Sequence, residues 1–349
     1  MTKQTWTAAV SALLFVLAAA VVAMTPLPYV TYAPGDTRDL LGSVGGRRVI
    51  EIEGLQTFPT SGSILLTTVN ITRPDAPVGL PELLYAHGVA DREVFPREFV
   101  YPGRSTASEI QARESQELTT SRADASAAAL RAAGIDVQQI PMVQSVASAG
   151  PAANKLMPGD FVLAVNGQPT PTVAVVRGIV EGASVGQPVT FSILRDREAL
   201  AVTIETAASK TQAGLPVWGG TLVMGYSYAP RVTIGVDQGL AGPSAGLMMA
   251  LSVYELITPG ELVGARVVAG TGSIDGAGNV HEVGGVRQKL AGAQGAGASV
   301  FFLPAGNCPD LARVSTPMRI VSVATLEDAI NSLDALANPA TATLVQGCS

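Results

Sequence analysis

Residues Ala8 to Met24 (AAVSALLFVLAAAVVAM) are 17 consecutive positions without a charged side chain. With Trp6, Thr7 and Thr25 the stretch reaches about 30 Å as a helix, the hydrocarbon thickness of a bilayer. It predicts a signal anchor or transmembrane helix within residues 1–28. Lys3 and the α-amino group precede it and the next cation is Arg38, so the charge bias puts the N-terminus in the cytoplasm and the rest outside. A cleaved signal peptide is the alternative, with Ala18-Ala19-Ala20 or Val21-Val22-Ala23 as the cleavage site. The run is longer than an h-region of about 7–15 residues, which favours a retained anchor. Either way the chain is exported and its bulk is expected to be extracytoplasmic, at the cell membrane.

Composition narrows the chemistry. The 349 residues give room for about two domains beyond the anchor. A net charge of −6 with no basic block leaves nucleic acid without an electrostatic footprint. The two histidines, His87 and His281, have no neighbouring ligands at metal spacing, and no G-x-x-x-x-G-K-[ST] occurs. No metal, ATP or other cofactor is therefore expected. In an oxidising compartment Cys308 and Cys348 are expected to pair and tie the C-terminal tail, residues 338–349, to the domain body.

Punctuation and periodicity divide the exported part. Pro26, Pro28 and Pro34-Gly35 read as a short extended linker, with a new domain starting near Val49. Val49–Glu53 and Ser63–Val69 read as strands, and Pro81–Gly88 as a short helix. Ser105–Ala133 has no internal Gly or Pro and reads as the longest soluble helix, capped by Ser105 or Thr106. The expected division is an N-terminal α/β segment over 29–120, a β-rich domain over 121–207 and a last domain over 208–337, a mixed α+β or α/β fold.

The middle region carries two Val-rich strands, Pro141–Val146 and Phe161–Val165, a tight turn at Asn166-Gly167, a helix over Thr172–Glu181 and a closing hairpin from Val189–Leu194 and Ala201–Glu205. The pattern Val143, Val146, Gly150-Pro151-Ala152, Leu156, Gly159-Asp160, Val162-Leu163, Val165-Asn166-Gly167 resembles PDZ domains of bacterial proteases. The resemblance implies that an extended peptide adds as a strand to this domain's edge. Gly134-Ile135-Asp136-Val137, before the Val143 strand, departs from the family's carboxylate-binding loop.

Ser244, in Ala241-Gly242-Pro243-Ser244-Ala245-Gly246, is followed at once by a helical run, Leu247–Ile257. A serine at a helix N-terminus has free amides and the positive end of the dipole beside it, which suits a tetrahedral oxyanion. The amides of Ser244 and of Gly242 or Ala241 are the candidates. The hydroxyl needs a base. His281 with Asp275 is one option, but no spacing supports it. Lysine is the other: the chain has four lysines against 18 arginines, and Lys289 opens a helix among Gly, Ala and Leu. Desolvation and the dipole both disfavour its charge there, lowering its pKa toward neutrality.

G-P-S-A-G-L, then A-G-T-G-S-I-D-x-x-G-x-V (Ala269–Val280), then G-G-V-R-Q-K (Gly284–Lys289) resembles the proteolytic domain of Lon-type Ser-Lys proteases, from about Val232 to Leu333. The resemblance implies Ser244 as nucleophile, Lys289 as base and Thr271 as the residue orienting the lysine. The order of anchor, PDZ-like domain and Lon-like domain is similar to membrane-anchored PDZ-Lon proteins. It implies an ATP-independent serine endopeptidase acting on unfolded or flexible protein segments, able to assemble with copies of itself. The alternative from another class is a non-catalytic peptide-binding scaffold or chaperone adaptor. A third reading is a latent protease opened by assembly.

Overall fold

The computed structural model describes residues 2–103, 106–236, 242–312 and 314–348. Eight helices are named here in chain order: α1 (Lys3–Met24), α2 (Leu80–Gly88), α3 (Arg97–Val100), α4 (Ala107–Ala132), α5 (Val173–Glu181), α6 (Gly246–Ile257), α7 (Val286–Gly295) and α8 (Leu326–Ala337). None of α1 is buried, in keeping with an apolar surface all round.

Two compact units follow, and each is formed differently from the expected division. One is built from residues 1–133 together with 232–349 and the other from Gly134–Arg231. The first holds a six-stranded sheet in the order Arg319–Val323, Val300–Pro304, Val267–Gly270, Ser63–Ile71, Tyr29–Asp39, Glu93–Pro96. The first four strands run parallel and the last two pairings are antiparallel. Alternation along these strands supplies both faces. Ile64, Leu66, Val268 and Phe302 join the core that holds residues of α4, α6 and α8, while Leu65, Ala269, Phe301 and Leu303 pack with Val286, Leu290 and Ala293 of α7.

Two expectations are corrected by this sheet. Residues 29–120 are not a separate segment, because Ser63–Ile71 pairs residue for residue with Val267–Gly270 of the C-terminal part. The proline-rich stretch is not a linker: Tyr29–Asp39 is a strand, with its irregularity between Pro34 and Thr37. A bulge is where a sheet tolerates a residue without an amide donor. The C-terminal tail is held to this sheet by hydrogen bonds and packing. Ser322 donates its amide to the Gln346 carbonyl, Arg319 donates to the Val345 carbonyl, and Val345 joins the core. Cys308 and Cys348 form a disulfide with Cα atoms 5.3 Å apart.

α4 begins at a capping box of Thr106 and Glu109; Ser105, the other expected cap, lies outside the described residues. Its buried Leu118, Ala125, Ala128 and Ala129 pack in the same core as α6. For that reason the domain boundary falls after α4 and not before Ser121.

The second unit is an antiparallel sheet in the order Glu198–Glu205, Pro188–Arg195, Phe161–Val165, Gln138–Val146, Gly220–Ser227. α5 starts at the Thr172 cap, and its Val176 and Val180 close the core over Val143, Val162, Phe191 and Ile204. Gly220–Ser227 forms a full ladder with Gln138–Val146, so the unit runs on past residue 207. Within it Asp160 is buried and accepts a two-pronged bond from Arg195, at 2.7 Å to each oxygen.

Candidate active site

Gly242 is extended, Pro243–Ala245 forms a single 3-10 turn, and α6 follows directly. Proline suits this first turn because its missing amide is one that no helix carbonyl accepts. Ser244 is therefore carried on the entry to α6, half-buried and beside solvent. Gly246 allows a close crossing: a Cβ there would lie 2.9 Å from Ile274 Cγ2 and 3.1 Å from Ser121 Oγ. The amides of Ser244 and Gly242 on this turn are the candidate oxyanion donors. Ala241, the further candidate for that role, lies outside the described residues.

Thr271 follows the sheet strand Val267–Gly270 and is wholly buried. Its amide donates to the Phe302 carbonyl, which fixes the backbone to the neighbouring strand. Its Oγ1 donates to the Ser244 carbonyl at 3.1 Å and accepts from Lys289 Nζ at 3.0 Å. Gly272 donates its amide to the same Ser244 carbonyl at 2.9 Å. The threonine has one proton, and it goes to the serine carbonyl, so the lysine is the donor in the other bond. Thr271 thus bridges the Lys289 amine to the backbone of the Ser244 turn.

Lys289 lies on α7, four residues after Gly285, whose carbonyl its amide reaches. It is only 4% exposed. Burial lowers its pKa from 10.5 to about 7. Desolvation is the cause, because burial disfavours the charged ammonium. The amine is therefore able to take up a proton near neutral pH, as a general base for a hydroxyl must.

Sequence comparison bears on this same arrangement. Residues 231–335 match the family "Lon protease (S16) C-terminal proteolytic domain", and residues 120–206 match the PDZ domain family. The chain carries a PDZ domain followed by a Lon C-terminal proteolytic domain. A Lon protease of Frankia alni is 40% identical over 100 residues, covering 28% of this chain and 11% of that protein. One from Mycolicibacterium smegmatis is 40% identical over 84 residues, covering 23% and 10%. The chain thus matches about a tenth of the length of these relatives. Among solved structures, the PDZ domain of an SdrC-like protein from Listeria monocytogenes is 26% identical, covering 24% of this chain and 86% of that one, with a TM-score of 0.23.

Within the Lon-type domain, His281 stands apart from the serine. It sits in a two-residue strand, is exposed, and its Nε2 is 3.4 Å from Asp275 Oδ2. Asp275 itself serves the turn, accepting from the amides of Ala277 and Asn279. The histidine and the aspartate meet each other, but neither hydrogen-bonds Ser244.

Two residues of α4 belong to the site and were not foreseen. Ser121 Oγ donates to the Pro243 carbonyl at 3.2 Å, and the Arg122 guanidinium donates to the Val236 carbonyl. They hold the chain on either side of residues 237–241. A cleft of about 300 Å³ opens beside this contact, lined by Arg113, Glu117, Thr120, Asp124, Pro243 and Ile274 among others. No local signal marked them, because Ser121 and Arg122 sit 123 and 122 positions before the serine on an alanine-rich helix.

In the PDZ unit the Val143 strand is not an edge. It pairs with Gly220–Ser227 on one side and meets Phe161–Val165 on the other. The ends of the sheet are Glu198–Glu205 and Gly220–Ser227, and α5 packs against the latter.

Proposed function

We propose that this chain is an ATP-independent serine endopeptidase, anchored in the membrane by α1 with its folded part extracytoplasmic, acting on unfolded or flexible protein segments. The observation that carries the reading is the buried Lys289 amine, with a pKa of about 7, joined through Thr271 to the backbone of Ser244. Ser244 Oγ attacks the peptide carbonyl as Lys289 accepts its proton. The amides of Ser244 and Gly242 hold the oxyanion. The lysine then passes the proton to the leaving amine, and water releases the acyl-enzyme with Lys289 again as base.

The half-buried serine on an open turn suits an extended segment and not a folded surface. A strand edge in the PDZ unit would recruit such a segment through main-chain hydrogen bonds, and Gly220–Ser227 beside α5 is the edge we assign to it. The anchor reading rests on α1, 22 residues long, without a charged side chain after Lys3 and unburied.

Purified full-length chain in detergent, mixed with an unfolded reporter protein and no ATP, is expected to generate fragments. Ser244→Ala and Lys289→Ala are expected to bind the reporter and leave it intact. Equal loss of binding in both variants would favour the scaffold reading instead. In cells, a membrane-impermeant label is expected to reach residues after α1 and not Lys3; labelling of Lys3 alone would reverse the topology.

A further inference from the structure

α1 does not leave its last residues in isolation. Leu27 donates its amide to the Val78 carbonyl at 2.9 Å. At Gly79 a Cβ would lie 2.7 Å from the Ala23 carbonyl, so the backbone leading into α2 crosses the last turn of α1 at a distance only glycine permits. Four residues beyond Met24, the Pro28 carbonyl accepts from the Arg97 amide that begins α3. Tyr29 then pairs with Pro96 and Val30 with Phe95. Both short helices are therefore fixed to the point where the apolar helix ends.

That end of the unit displays large apolar side chains to solvent. Leu84 and Tyr85 on α2 are 64% and 57% exposed, and Phe99 on α3 is 76% exposed. They are ordered from behind. Phe99 stacks on Phe95 at 6.3 Å, Phe95 meets Tyr32 edge-on at 4.9 Å, and the Arg92 guanidinium lies 4.9 Å from the centre of the Tyr85 ring. Aromatic rings with a cation beside them, next to the end of a spanning helix, have the composition of the membrane–water interface.

We infer that Leu84, Tyr85 and Phe99 dock on the lipid surface where α1 leaves the bilayer, seating the unit that carries Ser244 against the membrane. The inference rests on the reading of α1 as a membrane anchor. Continuity with that helix selects lipid as the occupant over a second protein: α2 starts at the level of Ala23, and the chain has nowhere to hold α2 far from the bilayer. Glu82 and Glu98 are exposed on the same two helices, so the surface is suited to a zwitterionic headgroup layer and not to one that must be anionic.

Tyr85→Trp and Phe99→Trp, each with Trp6→Phe and Trp218→Phe so that the introduced indole is the sole tryptophan, are made in the full chain and placed in phosphatidylcholine vesicles with and without lipid spin-labelled near the headgroup. Both positions are exposed, so folding does not depend on them. Protein carrying Trp218→Phe alone serves as the control, since its remaining Trp6 in α1 reports insertion of the anchor. The expected result is blue-shifted emission from both introduced indoles, with that emission falling by about half in labelled vesicles. Quenching of Trp6 without quenching at positions 85 and 99 overturns the docking and leaves the anchor standing. No quenching at any of the three overturns both. Shielding at 85 and 99 that appears only as protein is raised against lipid overturns lipid docking in favour of a second copy.

Discussion

At the scale of the residue, the proposed chemistry depends on an amine whose charged form is disfavoured by burial. An unfolded lysine titrates near 10.4, and Lys289 in the folded chain near 7. Below pH 7 both states bind the proton, and the folded state bears the full cost of burying it; between pH 7 and 10.4 the unfolded state binds more protons, so stability rises with pH and the cost disappears above that range. Lys289→Met is therefore expected to stabilise the fold by on the order of 4 kcal/mol at pH 6, with the gain shrinking toward zero by pH 11. Denaturant melts of the two proteins at several pH values measure this. A constant difference across pH would mean that the lysine is ordinarily solvated. Thr271→Val removes both the donor to Ser244 and the acceptor for Lys289. It is expected to lower kcat by about 10- to 100-fold with little change in KM, the signature of lost orientation and not of lost binding. Ser244, Thr271 and Lys289 could be picked out in the sequence because each lies in a short local motif, and the structure brings the three together.

At the scale of the element, α4 is what local motifs did not reveal. A serine and an arginine on an Ala-rich helix look like solvated positions, yet Ser121 is 4% exposed and reaches the carbonyl next to Ser244. The reason is tertiary: α4 packs along α6, and only that crossing gives the hydroxyl a partner. Ser121→Ala is expected to reduce kcat by about five- to tenfold, the equivalent of one ordinary hydrogen bond, with KM and the pH midpoint unchanged. A parallel rise in KM would mean that α4 shapes the substrate cleft instead. The prolines before Val49 misled for a similar reason. They excluded helix correctly, but Pro34 sits at the irregularity of a strand that has sheet partners on both sides. The tail shows the same dependence on tertiary partners. Closing a loop of 40 residues through Cys308 and Cys348 is worth about 4 kcal/mol on the chain-entropy account. Cys308→Ala with Cys348→Ala is expected to lose about that much in a melt under oxidising conditions. Reductant is expected to bring the unsubstituted chain to the same midpoint; an unmoved midpoint would show that Val345 and its hydrogen bonds to the edge strand suffice alone.

At the scale of the whole molecule, the catalytic unit is discontinuous in sequence. Residues before Gly134 and after Arg231 share one sheet, so periodicity gave the elements while the pairing of Ser63–Ile71 with Val267–Gly270 had no local signature. The ends of the PDZ unit were hidden likewise, because Gly220–Ser227 lies beyond the strands that carry its motif. The proposed activity is peptide hydrolysis without a motor, driven by one titrating amine. The direct measurement is loss of an unfolded reporter to the full-length chain in detergent, without ATP, from pH 6 to 10, beside Ser244→Ala and Lys289→Ala. Cleavage by the unsubstituted chain is expected to rise through a single ionisation near pH 7, and each variant to lose about 10³-fold or more. Cleavage that persists in Lys289→Ala, or that rises only near pH 10, would contradict the role given to the buried lysine.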